Sequence, residues 1–296
     1  MAFKTPDQIA TTAVNAGVAK ANLSPGRMFA GSILAGAYIA FAGLLGLVVT
    51  AGMPAAMWGN FPTLIFGAVF SLGLILVVIA GSELVTGNMA LLPLALTSKR
   101  TTGGRVALSL AVVTVGNLVG ALLVAYFLAV KSGVVGAPQS TGAAHDVFMK
   151  LAGAAKGKAV TETSLQIFLR AIGCNWLVCL AVWMAFAAED IAGKILAIFF
   201  PIMAFVAMGF DHVVANMFFL PAALFAHVPG ITTGDVVHNL ILAWVGNLVG
   251  AAVFVSGFYW FLYLRGRPET LAVDGVAVTP NSNHRSKEGE NAAGPR

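Results

Sequence analysis

Long apolar runs separated by short polar punctuation dominate the chain from residue 28 onward, and their lengths predict membrane-spanning helices. The runs fall near 28–50, 62–82, 106–130, 167–188, 195–210 and 240–264. A bilayer core of about 30 Å requires roughly 20 apolar residues in a helix. The fifth run is too short for this on its own. The opening segment, MAFKTPDQIATTAVNAGVAKANLSPGR, is polar and mildly amphipathic, so residues 1–26 predict a cytoplasmic segment rather than a cleaved signal, and the first span acts as its own insertion signal. A channel domain is expected over 27–267, and the Pro-, Gly-, Asn-, Ser- and charge-rich stretch 268–296 predicts a disordered cytoplasmic tail.

Two of the apolar runs carry polar interruptions, and these interruptions are duplicated. GSELVTGNMALLPLAL (81–96) aligns with GFDHVVANMFFLPAAL (209–224) at a constant offset, which places Glu83 on Asp211, Asn88 on Asn216 and Pro93 on Pro221. VGNLVGA occurs at 115–121 and again at 245–251. Matched motifs in the same order predict two repeats, about 27–130 and 167–265, of three spans each. Three is odd, so the second repeat enters the membrane inverted, and a site is expected near the midplane between the two. Irregular backbone at membrane depth survives only where it is buried in protein or lines a cavity. Spans 2 and 5 are therefore predicted to break, with second halves at about 88–98 and 216–227. This also explains the short fifth run. Asn88 and Asn216 are the expected N-caps of those halves, offering backbone N–H groups and positive dipole ends to an anion. The Gly116/Gly120 and Gly246/Gly250 spacings predict close helix packing rather than a site.

Composition changes the picture by setting the solvent. Hydrophobic residues make up 58% of the chain and charged residues 10%, against roughly 25% charged in soluble domains, so the surroundings are a lipid bilayer. Between Arg27 and Lys99 the only charged side chain is Glu83, and between Lys194 and Asp235 the only one is Asp211. The net charge of +5 is accounted for by topology rather than nucleic acid. With six crossings, Lys4, Lys20, Arg27, Lys99, Arg100, Arg105, Arg265 and Arg267 fall on one face. That predicts a bacterial-type inner membrane with both termini cytoplasmic. Loop 131–166, with Lys131, Lys150, Lys156 and Lys158, breaks that rule and calls for another reason. Cys174 and Cys179, five apart on one helix, face different ways and read as packing residues. The five histidines (145, 212, 227, 238, 284) are scattered and form no metal set or nucleophile–base pair, so no enzyme, metal or cofactor is expected. His212 alone lies mid-span, and an ionisable residue there marks a pathway. Glu83 and Asp211 are expected to tie structure together, with Asp211 turned away from the pore that His212 faces.

GSELVTGN, CNWLVCLAVW (174–183) and GFDHVVANMFF (209–219) closely resemble the signature segments of the formate/nitrite transporter family, and the similarity runs over about 27–265. The resemblance implies an all-α, aquaporin-like six-span protomer built from inverted repeats with spans 2 and 5 broken. It further implies a homopentamer with one pore per protomer. It implies passage of formate or nitrite, with hydrosulfide or short-chain carboxylates as alternatives, aided by a proton. By the same resemblance His212 is the central pore histidine, Thr86 the threonine facing it, and Asn175 the asparagine that hydrogen-bonds nearby. Phe70 and Phe205 fall at the outer constriction, and Leu74 and Leu84 at the inner one, with Val85 beside them where formate-type members often carry Phe. Lys158 matches the vestibule lysine, with Lys156 as the alternative. A water or glycerol channel would carry Asn-Pro-Ala at both breaks and an Arg filter, where this chain has Asn-Met-Ala and Asn-Met-Phe.

Overall fold

The computed structural model describes residues 3–266, and the predicted tail at 268–296 lies outside them. All the regular structure described is helical. The N-terminal helix α1 (Pro6–Ala21) begins at a Thr5/Gln8 capping box. It is followed by α2 (Pro25–Thr50), with proline at its first position, where no N–H is needed. Next come α3 (Phe61–Gly81) and the short α4 (Val85–Thr97), then α5 (Gly103–Lys131). Helix α6 (Gly142–Lys156) continues into a π-helical turn, Gly157–Thr161. The second half contains α7 (Ser164–Ala187), α8 (Ile191–Ala207), the short α9 (Val213–Phe225) and α10 (Thr233–Tyr263). Thr163 caps α7 and Thr232 caps α10, each within a capping box, and Asp190 caps α8.

Five of these helices, α2, α3, α5, α7 and α10, are long and apolar enough to cross a membrane. Helix α8 has 17 residues, about 26 Å of rise, which matches the shortfall expected of the fifth run. Helix α2 packs on α3 and α5, α7 packs on α8 and α10, and α3 meets α8 between the two groups. The repeated glycines lie in the tightest of these contacts. A Cβ at Gly120 would sit 2.0 Å from the Ile33 carbonyl oxygen, and one at Gly250 would sit 2.3 Å from that of Ile172. Helix α5 therefore rides on α2, and α10 on α7, at backbone contact distance, the packing role expected of these residues.

The short helices α4 and α9 form the centre. Ten of the 13 residues of α4 and eleven of the 13 of α9 are buried. A helix apolar on all sides has no water-facing stripe and must be enclosed. The outer surface is apolar instead, with Leu64, Phe127, Phe200, Ile241 and Phe258 each exposed. The buried polar side chains, among them Asn88, Asn117, Asn175, Asp211, His212 and Asn247, lie inside. This is the arrangement lipid requires. Helix α1 is not a free leading segment. It packs against α4 and α7, and the Lys4 N–H donates to the Ala187 carbonyl at 2.9 Å.

Candidate functional site

Two short non-helical stretches build the site. Helix α3 ends in a π-turn at Gly81, whose φ of +82° is left-handed and suits glycine. Ser82 and Leu84 are extended, and α4 begins at Val85. Asn117 of α5 clamps the turn: its Oδ1 accepts from the Val85 N–H (2.9 Å), and its Nδ2 donates to the carbonyls of Glu83 (2.9 Å) and Ser32 (2.8 Å). The Glu83 carboxylate takes Lys20 Nζ at 2.8 Å and Asn88 Nδ2 at 3.1 Å.

The second stretch follows Gly209, with φ +71°. Asn247 of α10 accepts from the Val213 N–H (2.9 Å) and donates to the carbonyls of Asp211 and Ala171 (both 2.8 Å). Asp211 takes Lys158 Nζ at 2.8 Å and Asn216 Nδ2 at 2.9 Å. The buried Asn216 also donates to Asn239 Oδ1, and Asn239 in turn donates to the Lys158 carbonyl.

Two expectations change here. Asn88 and Asn216 are not N-caps. Helices α4 and α9 start one turn earlier than predicted, with Leu84 and His212 in the capping positions. The asparagine amides donate to the neighbouring carboxylates, because a buried acid demands donors more strongly than an already bonded turn. The first N–H groups are also not all open to an anion. Asn117 and Asn247 hold those of Val85 and Val213, and His212 holds that of Ala215. What faces inward is the dipole end and the side chains. The clamps themselves were missed at the sequence level, although the signal was present: the one polar side chain in each VGNLVGA is the asparagine.

His212 joins the two stretches. Its Nδ1 accepts from the Ala215 N–H at 3.1 Å, and its Nε2 lies 3.0 Å from Thr86 Oγ1 on the opposing helix α4. A neutral imidazole has one donor and one acceptor. With Nδ1 accepting, the proton sits on Nε2 and points to the Thr86 hydroxyl. Asn175 lies on α7 and is fully buried. It donates to the Thr86 carbonyl (3.2 Å) and the Asn247 carbonyl (2.8 Å) and so fixes the threonine rather than the imidazole. Cys179 Sγ backs the same carbonyl at 3.4 Å, and both cysteines are free and buried.

A line of cavities passes through this junction. On the Lys20 side a cavity of about 490 Å³ is lined by Arg27, Leu74, Glu83, Leu84 and Lys194. On the Lys158 side a cavity of about 440 Å³ is lined by Phe70, Phe205, His212, Glu162 and Arg170. Between them lies a chamber of about 10 Å³ walled by Ile39, Phe70, Leu74, Leu84, Val178, Ile202, Phe205 and His212, at most the room of one water molecule. The Phe70 and Phe205 rings meet edge-on, 6.1 Å between centroids, and Phe205 lies over the imidazole at 5.9 Å. Phe70, Phe205, Leu74 and Leu84 are thus brought together around His212. Val85 is not: it is fully buried and lines none of these three cavities, because its position at the start of α4 turns its side chain into the helix packing. Of the two lysines considered, Lys158 lines the cavity of about 440 Å³ and pairs with Asp211, while Lys156 is exposed. Among the described residues no group of three His, Cys, Asp or Glu could hold a metal ion.

The profile described as formate/nitrite transporter matches residues 7–261. The chain belongs to the formate/nitrite transporter family. The match takes in α1, which the sequence comparison of signature segments had left outside. A relative described as a probable formate transporter, from Methanothermobacter thermautotrophicus, is 47% identical over 271 residues, covering 89% of this chain and 98% of the relative. A solved structure described as an FNT family ion channel superposes with a TM-score of 0.78 at 29% identity, over 86% of this chain and 98% of that one. A second, described as a pentameric formate channel with formate bound, gives 0.69 at 30% identity, over 81% and 98%. This family membership and the apolar helices make the chain a multi-pass membrane protein.

Proposed function

We propose that the chain is a pore for small monovalent anions, formate or nitrite foremost, and that they cross its apolar chamber with the help of a proton. The observation that carries this reading is the succession of a cationic cavity, a chamber of about 10 Å³ with one His–Thr pair in its wall, and a second cationic cavity. An apolar constriction rejects a bare ion, since stripping its water without a partner costs several kcal/mol or more. A neutral weak acid is far less penalised. In this mechanism Lys158 attracts the anion into the vestibule, and the falling dielectric favours its protonated form. The acid then passes Phe70 and Phe205, hydrogen-bonding to the His212–Thr86 pair. A constriction this narrow supports small permeants over bulky ones, and the formate named for the relative and for the bound neighbour supports formate within that class.

The wider architecture belongs to the same proposal. The α3–α4 and α8–α9 stretches are broken spans of two inverted three-span repeats in an aquaporin-like protomer. Five protomers assemble, as in the pentameric neighbour, each with its own pore. Both termini face the cytoplasm of an inner membrane, with the Lys158 cavity outside. The test is stopped-flow light scattering on proteoliposomes offered formate, nitrite, hydrosulfide and glycerol. Fast anion-driven swelling with glycerol excluded supports the proposal. Glycerol or water flux without anion flux overturns it.

A further inference from the structure

Glu162 lies between the π-turn Gly157–Thr161 and α7, ahead of the spanning helix, and neither the family signatures nor the pore mechanism uses it. Its Oε1 pairs with the Arg170 guanidinium, its side chain is 9% exposed, and its buried Oε2 has no hydrogen-bond partner among the described residues. Asp211 mirrors this state. Its Oδ1 takes Lys158 and Asn216, its side chain is 0% exposed, and its buried Oδ2 is likewise unpartnered. The two carboxyl groups stand within hydrogen-bonding reach of each other. Two ionised carboxylates cannot bond one another, since each only accepts, and their proximity is unfavourable. One proton placed between them satisfies both unpartnered oxygens.

We propose that Glu162 and Asp211 share one proton, and that this vestibule proton site sets the charge that an entering anion meets beside Lys158. With the proton in place, the cluster holds Lys158 and Arg170 against one carboxylate and is net positive. Without it, two cations face two carboxylates and the attraction cancels. Glu162 is faced by Lys158 of the π-turn, Arg170 of α7 and Asp211 ahead of α9. Lys150 of α6 and His212 line the same cavity, Cys174 lies buried behind Asp211, and His238 of α10 bonds Ser164 nearby. Burial, the hydrogen bond to Asp211 and the charge of Asp211 together push Glu162 up to about 7, against the opposing pull of Lys158 and Arg170. The site therefore loads and empties around neutrality.

This inference rests on the anion-pore reading, and its test separates the two. Formate influx into proteoliposomes of the full chain is measured from about pH 6 to about pH 8, one unit either side of about 7. In the wild type the half-saturating formate concentration is expected to change by up to about tenfold with a midpoint near neutrality. The fraction of free formic acid falls steadily over this range and has no midpoint there. Glu162→Gln is neutral at every pH, and its amide can donate to Asp211 as the shared proton does, so the variant should hold the acid-side half-saturation throughout. A merely structural glutamate would leave the midpoint in place, and a midpoint retained in E162Q overturns the inference. Infrared difference spectra of the wild type give an independent readout: a protonated-carboxyl band should vanish as pH rises through neutrality and be absent from E162Q. Its absence in the wild type also overturns the inference. No formate influx at any pH overturns the pore reading, while the infrared band still decides the proton site.

Discussion

Residues 81–99 and 209–227 hold their backbones with matching hydrogen bonds, yet only the second carries a histidine. Each begins at a left-handed glycine, Gly81 or Gly209. Each is clamped by one asparagine at its first helical N–H and carries an acid bonded to one lysine and one asparagine. Each ends in the same turn, with Lys99 (φ 57°) and His227 (φ 58°) left-handed and matching bonds from Arg100 to Ala95 and from Val228 to Ala223. The chemistry is not duplicated. Where the second stretch has His212, the first has Leu84. Where the first has Thr86, the second has Val214. The duplicated motifs supply a frame that satisfies irregular backbone in lipid, and single differences within the frame place the His212–Thr86 pair between the two stretches.

The largest effect is expected from breaking the shared frame. Asn117→Leu and Asn247→Leu each strand one N–H and one carbonyl of the irregular stretch, at about 1–3 kcal/mol per orphaned group, and remove a second bond from a helix carbonyl. Both variants should lose the folded state, read by size-exclusion chromatography and thermal unfolding in detergent. If only one of them unfolds, the two clamps are not equivalent. His212→Leu copies the first stretch into the second. It removes one helix cap, a loss of about 1 kcal/mol, so the fold should survive while formate flux drops about tenfold or more, equivalent to about 1.4 kcal/mol of barrier. Undiminished flux would assign permeation to other groups.

The two lysines sharpen the comparison further. Lys158→Ala leaves the fully buried Asp211 without its cation, whereas Lys20→Ala exposes a Glu83 that is already 13% accessible. K158A should raise the half-saturating formate concentration several-fold and lower the unfolding temperature more than K20A does. Equal effects would remove the distinction between the two cavities. Thr86→Val makes the smallest change, removing one hydrogen bond of about 1 kcal/mol from the imidazole. It should slow flux by less than H212L and leave unfolding almost unchanged.

Much of this was legible in one dimension because lipid imposes simple rules. Apolar run length located the spans to within a few residues at most ends, since few charged side chains are tolerated along them. The paired acid–asparagine–proline motifs located both irregular stretches, because polar residues at that depth need a special environment. The family resemblance pointed to His212, Thr86, Phe70, Phe205, Leu74 and Leu84, which the fold brings to one chamber or its wall. Periodicity had no means of revealing that α1 packs into the body and lends Lys20 to Glu83, since those partners are 63 positions apart.

The chain's linear pattern was enough to settle that it lives in lipid, how many apolar runs it has, and where they are interrupted. These follow from transfer energies that each residue carries wherever it sits. The fold alone settled which donor meets which acceptor. Asn88 and Asn216 bind carboxylates instead of capping helices, Asn117 and Asn247 turn out to be clamps, and Val85 faces packing instead of the chamber. Hydrogen bonds are short-ranged and directional, so their pairing depends on distances between helices that no run of residues encodes locally.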